Sequence, residues 1–192
     1  MSTHKAQVID TQTKIIEAAL ICVKRWGVEK VTLNDIAREA GVTRPTVYSY
    51  FKTRDDVIRY ALLQSAYGFA DKLLKEINKY DAPQDRLIES FLYALKRLPQ
   101  EPYLEMVTDK GLAKILNEHA LNTPQGMEIT RSLFKVIYKD VAISDQDLDE
   151  VIEITTRLIL SLLVLTGPKK RSDKEMRAFL QRRLLPAVGL AQ

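Results

Sequence analysis

Apolar residues along this chain recur at three- and four-residue spacing, and nowhere do they alternate as they would in a half-buried strand. The first stripe comprises Ile15, Ile16, Ala19, Leu20, Val23 and Trp26. It predicts a helix from about Asp10 to Trp26, stopped by Gly27. A long helix from about Arg54 to Lys79 follows from the spacing of Val57, Ala61, Ala66, Phe69, Leu73 and Ile77. Pro83 opens another that reaches about Leu98, after which Pro99 and Pro102 break the chain before a weaker stretch, Tyr103 to Leu121, divided by Gly111. Further helices are expected from Pro124 to Tyr138 or Lys139, and from Asp145 to Thr166, with Gly167-Pro168 as a firm stop. A last one runs from an N-cap at Ser172 to about Leu185, with Pro186 near its end. The predicted fold class is all-α.

Between Val31 and Phe51 the sequence VTLNDIAREAGVTRPTVYSYF predicts two short helices joined by a tight turn. Thr32 is placed to cap the first, Asp35 favours its positive end, and Leu33, Ile36, Ala37 and Ala40 supply an inner face. The small Ala37 and Ala40 permit a steep crossing, Gly41 offers the positive φ such a turn demands, and Val42 plugs the corner. Thr43 is placed to cap the second helix, whose first turn tolerates Pro45, with Val47 and Phe51 inward. That leaves Thr43, Arg44, Thr46, Tyr48, Ser49 and Tyr50 on outer faces, a mix of donors suited to base edges and phosphates. Lys52 and Arg54 follow, and backbone N–H groups near Thr53 to Asp55 offer a phosphate site at the head of the long helix. The pattern also describes an ordinary helix-helix corner with a solvated face, and periodicity alone leaves both readings open.

Ile16-Glu17-Ala18-Ala19, Trp26-Gly27, Val31-Thr32, Asp35-Ile36-Ala37, Ala40-Gly41-Val42 and Thr46-Val47-Tyr48-Ser49-Tyr50-Phe51 carry a resemblance. Over roughly the first 58 residues the chain resembles the DNA-binding region of the tetracycline-repressor (TetR) family of bacterial regulators. By that resemblance, Thr43, Arg44, Thr46, Tyr48 and Tyr50 contact bases or backbone in the major groove, and Thr32 meets a phosphate. Arg54 stands where the family usually carries a phosphate-touching lysine, and Arg44-Pro45 where operator preference is set. The resemblance implies residues 1–53 as a three-helix helix-turn-helix DNA-binding domain and residues 54–192 as a larger helical ligand-binding and dimerisation domain. Its implied function is a sequence-specific, non-enzymatic transcriptional regulator. A repressor of this kind leaves its palindromic operator when a small hydrophobic ligand binds, shifts the long fourth helix and alters the spacing of two recognition helices; activation is the other mode.

The later helices add to this picture. From Val151 to Thr166 the apolar positions surround the helix, so it needs burial on every side. Such a helix fits either the centre of a monomer or an interface between two copies, and the resemblance selects the last two major helices as a homodimer face. The interface candidates are Ile154, Leu158, Leu162 and Leu165 on one helix and Phe179 and Arg183 on the other. The many Lys and Arg residues between 169 and 183 leave a membrane-surface role as the rival reading. Phe69, Phe91, Tyr103, Met106, Phe134, Tyr138 and Thr155 are the candidates for an apolar ligand pocket, with Tyr93 beside them and Asn117 and His119 as possible polar anchors. The same residue types also suit plain core.

Composition narrows the alternatives. A chain of 192 residues with 46% hydrophobic residues can bury a sizeable core, which sets disorder aside. The formal charge is +4, and residues 1–60 hold ten Lys/Arg against seven Asp/Glu, so the basic surplus lies at the N-terminal end. One cysteine, Cys22, and two histidines make neither an intramolecular disulfide nor a metal-ligand cluster. The polar N-terminal stretch and the lack of any apolar run near 20 residues predict a cytoplasmic protein with no membrane partner. No nucleophile, metalloprotease or phosphate-loop motif is visible, so no catalytic residue and no cofactor is expected. A helical adaptor that binds only proteins is the third class in play. The expected partners are an operator in double-stranded DNA, an apolar small molecule and a second copy of the chain.

Overall fold

The structure is a computed structural model that describes residues 2–101, 124–165 and 170–190, with side chains from Asp10 onward. Among the described residues it holds eight α-helices and no strand. These are α1 Ser2–Trp26, α2 Leu33–Glu39, α3 Arg44–Tyr50, α4 Arg54–Ile77, α5 Pro83–Arg97 with a 3-10 turn at Leu98–Gln100, α6 Pro124–Ile137, α7 Asp145–Val164 and α8 Asp173–Ala187. The all-α class stands. The stretch from Tyr103 to Leu121 and the Gly167-Pro168 stop lie outside the described residues. Helix α1 starts some eight residues earlier than its apolar stripe suggests. No Gly or Pro precedes Gly27, so nothing in the polar lead-in breaks the helix.

Helix heads use one device repeatedly. A Ser or Thr side chain accepts the backbone N–H three residues on, at Thr32 for α2, Thr53 for α4, Ser144 for α7 and Ser172 for α8. In each case the residue three on is Asp or Glu, whose carboxylate bonds back to the cap. This pairing satisfies donors that a helix start otherwise leaves open.

Two compact units emerge. Among the described residues the first comprises 2–67 with Glu101, and the second 68–100, 124–165 and 170–190; the division falls inside α4, between Tyr67 and Gly68. The core of the first is built from Ile15, Ala18, Ala19, Cys22 and Val23 of α1, Leu33, Ile36 and Ala37 of α2, Val47 of α3, and Val57, Ile58 and Ala61 of α4, closed by Val31 and Phe51. Cys22 is fully buried, and burial pushes its thiol above the usual range, with the Glu39 and Asp35 carboxylates adding to the rise.

The second unit packs Leu73 and Ile77 of α4 with Leu87, Ile88 and Phe91 of α5, Ile137 of α6, Leu148 and Val151 of α7, and Leu180 and Leu184 of α8. Through this apolar core runs one fully buried cation, Arg86. Its Nε donates to the Ile137 carbonyl at 2.9 Å, its Nη1 to the Asp81 carbonyl at 2.6 Å, and its Nη2 to Asp140 Oδ2 at 2.8 Å. Ile137 is the last residue of α6, so Arg86 meets a carbonyl that the helix itself leaves open. A second tie joins Arg177 of α8 to Glu89 of α5.

Candidate nucleic-acid interface

Helices α2 and α3 form a corner built from local rules. The Gly41 N–H donates to the Arg38 carbonyl at 3.2 Å, and the Val42 N–H to the Ala37 carbonyl at 3.0 Å, which together end α2 in a Schellman motif. Gly41 has φ +66°, the left-handed conformation this motif places at that position. Thr43 then caps α3, accepting from the Thr46 N–H at 3.3 Å, and Pro45 occupies the first turn at no cost to the ladder. With Val47 and Phe51 buried, the opposite face of α3 is exposed at Thr43, Arg44, Tyr48 and Ser49, while Thr46 and Tyr50 are half-buried.

The polar side chains of α3 are arranged in detail. The Thr43 and Thr46 hydroxyls share a hydrogen bond of 2.8 Å, and Ser49 Oγ donates to the Thr46 carbonyl at 2.7 Å. Arg44 Nη2 donates to Tyr48 Oη at 3.1 Å, and the guanidinium carbon lies 5.4 Å from the centre of the Tyr48 ring. The first turn of α3 holds no acidic residue. Lys52, just beyond it, is exposed.

Two other expected phosphate contacts sit differently. Thr32 is exposed, but its hydroxyl is engaged with Asp35, accepting from the backbone N–H and donating to Oδ2 at 2.6 Å. These bonds, with Arg38 nearby, hold the Asp35 carboxyl below its ordinary range. Arg54, placed toward phosphate by the sequence, is turned into the protein. Its Nε donates to the Val31 carbonyl at 2.6 Å, Nη2 donates to the Val28 carbonyl, and Nη1 pairs with Asp55 at 2.8 Å. At the same helix head, the Thr53 N–H is taken by Asp56 Oδ2 at 3.1 Å, so the protein's own carboxylates occupy the ground proposed for a phosphate. The Thr-x-x-Asp spacing at Thr53 and Asp56 was the sequence signal for this box. The inward turn of Arg54 had none, because its acceptors are backbone carbonyls more than 20 residues away.

Of the residues proposed for a ligand pocket, Phe69, Phe91, Phe134 and Tyr138 are all buried in one apolar cluster of the second unit, and Tyr103, Met106, Asn117 and His119 lie outside the described residues. Tyr138 Oη donates to the Val188 carbonyl at 2.8 Å, and burial raises its hydroxyl well above the usual range. Thr155 differs from these. It is 1% exposed, and its Oγ1 has no hydrogen-bond partner among the described residues. Among the dimer-face residues, Ile154 and Leu165 are 43% and 66% exposed. Leu158, Leu162 and Phe179 are half-buried, Arg183 is exposed, and Arg171 stacks on the Phe179 ring at 4.5 Å. From Leu158 to Val164 no side chain of α7 is fully buried. No helix among the described residues is long and apolar enough to cross a membrane.

The family model for bacterial regulatory proteins of the tetR family matches residues 15–61. An uncharacterized HTH-type transcriptional regulator of Mycobacterium tuberculosis is 32% identical over 125 residues, covering 65% of this chain and 62% of its own. The HTH-type transcriptional regulator TtgR of Pseudomonas putida is 31% identical over 111 residues, covering 58% of this chain and 50% of its own. The chain thus spans less than two thirds of these relatives' length. Among solved structures, the TetR family repressor AlkX of a Dietzia species, implicated in biodegradation of n-alkanes, superposes with a TM-score of 0.66 at 19% identity. That match covers 94% of this chain and 96% of AlkX, and it shows a shared fold.

Proposed function

We propose that this chain, whose residues 15–61 match the family model for bacterial regulatory proteins of the tetR family, is a cytoplasmic DNA-binding transcriptional repressor working as a homodimer on an inverted-repeat operator. The observation that carries the reading is the α3 face. An acid-free helix start presents Arg44 and Tyr48 to solvent, on a corner fixed by Gly41 and Thr43, with Lys52 beside it. A short recognition helix reads few base pairs, and a two-fold pair reading successive major grooves multiplies affinity and specificity. The exposed Ile154 and Leu165, with Leu158, Leu162 and Phe179 alongside, support α7 and α8 as the self-association face.

Release by a small apolar effector within the second unit completes the reading. Thr155 supports it: a buried hydroxyl without a partner costs free energy that a ligand's polar group can recover. Phe69, Phe91 and Phe134 supply the apolar surroundings on which such an effector would draw, and Tyr103 and Met106 are kept as further contacts. The effector must bind the DNA-incompetent state better than the competent one, or release does not follow.

The experiment is selection of bound duplexes from random DNA by the full chain at near-physiological salt. The expected result is an inverted repeat whose affinity falls steeply as salt rises. A folded chain that enriches no sequence overturns the reading in favour of a helical adaptor.

A further inference from the structure

The arginines of the first unit divide into two kinds. Arg25, Arg38, Arg54 and Arg59 each pair with a carboxylate, from Glu39, Asp35, Asp55 and Asp56 respectively. Arg44 is held instead by an aromatic side chain, lying over the Tyr48 ring and donating one bond to its hydroxyl. Among the described residues it is the guanidinium of this unit whose charge is not offset by a paired acid. Around it, the short polar side chains of α3 are already engaged, Thr43 with Thr46 and Ser49 with the Thr46 carbonyl. Arg44 is therefore the side chain of α3 with several uncommitted donors and the reach to use them.

Its geometry leaves a fork intact. Nη2 carries two hydrogens, one on the edge shared with Nε and one on the edge shared with Nη1. The bond to Tyr48 uses one hydrogen, so one edge retains two parallel N–H donors. Two adjacent acceptors in the major groove are the mark of guanine, through O6 and N7. Adenine offers a donor in place of one of them. Stacking on Tyr48 also restricts an otherwise flexible side chain before DNA arrives, which lowers the ordering cost of the contact.

We propose that Arg44, oriented by Tyr48, reads a guanine in each operator half-site through the major groove. This rests on the operator reading above. Tyr48 is then a positioning residue whose hydroxyl proton remains available to a neighbouring acceptor, while its ring sets where the fork points.

The test measures affinity of the full chain for its selected inverted repeat and for duplexes with single base-pair changes in one half-site. Wild-type protein should show one guanine whose replacement by adenine weakens binding by roughly 5- to 150-fold. In Arg44→Ala that penalty should vanish while changes elsewhere in the half-site still cost affinity. In Tyr48→Phe, which keeps the ring and loses the hydroxyl, the guanine preference should shrink without disappearing. Both residues are exposed, and unchanged helical circular dichroism of the variants separates reading from folding. Retention of the guanine preference by Arg44→Ala, or a half-site in which no guanine matters, overturns this proposal alone. Failure of wild-type protein to enrich any inverted repeat overturns the operator reading and this proposal with it.

Discussion

Both units carry side-chain hydrogen bonds between near neighbours, but the longest reaches along the chain belong to the second. In the first, Thr32 bonds Asp35, Thr43 bonds Thr46, Ser49 bonds Thr46 and Thr53 bonds Asp56, each three residues apart. In the second, Arg86 reaches Ile137, 51 residues away, Tyr138 reaches Val188, 50 away, and Arg177 reaches Glu89, 88 away. Both units therefore assemble helices whose heads are finished locally, as by Ser144 and Ser172 in the second, and the outer face of α3 is set by that helix alone. The second depends on contacts that exist only once distant segments have met. Such contacts carry a larger loop-closure cost before they form. The first unit has longer reaches too: Arg54 ties the head of α4 to Val28 and Val31 across 26 and 23 residues, Arg25 reaches Glu39 across 14 and Ser65 reaches Glu101 across 36.

The contrast can be broken most severely at Arg86. Arg86→Met removes the donors to the Ile137 and Asp81 carbonyls, and should destabilise the second unit by about 3 kcal/mol in urea unfolding. Asp140→Asn should cost far less, because Asp140 is 58% exposed. Equal losses for the two would mean that the ion pair, rather than the carbonyl caps, holds the unit. Next comes Arg54→Ala, expected to cost the first unit about 2 kcal/mol and to raise amide exchange in the segment 27–32. Arg54→Lys should recover little, since an ammonium cannot span both carbonyls and Asp55 with a planar fork.

Smaller effects sharpen the comparison. Thr155→Val should stabilise the second unit by about 1 kcal/mol in thermal unfolding, by removing a buried hydroxyl that has no partner among the described residues. A loss of stability instead would show that Oγ1 is bonded in solution. At the other extreme, Asp35 is a local, exposed contributor whose effect is best seen through pH. Its folded pKa is lowered, so its contribution is complete above the unfolded carboxyl value near pH 4 and is lost as pH falls through the folded value. Asp35→Asn should flatten the acid side of the first unit's stability curve below about pH 4, and an unaltered acid limb would contradict the assignment.

The same contrast explains what could be read from the sequence. Thr32, Gly41, Thr43 and Ser172 were legible as caps and turn because their partners lie within four residues, inside the window that spacing rules address. The apolar stripes likewise gave α1 and α4 their faces, since periodicity is a local property. Arg86 was invisible: an arginine inside an amphipathic helix reads as solvated until the chain that supplies its acceptors is in place. The inward bonds of Arg54 were hidden for the same reason. Its position at a helix head suggested an outward charge, whereas its donors bond the carbonyls of Val28 and Val31. The hydroxyl of Thr155 was named as a candidate, but its lack of a partner could be found only in the folded chain.

Cys22, sealed among the residues that join α1 to α2, makes the native protein silent toward thiol reagents. It is the chain's only cysteine and it is fully buried. Any modification of the unaltered chain must therefore wait for the first unit to open, so the labelling rate becomes a clock for that opening without a probe being added. A cysteine introduced on the outer face of α3 would be the one thiol reached in the folded state, ready to carry a fluorophore that responds when DNA arrives.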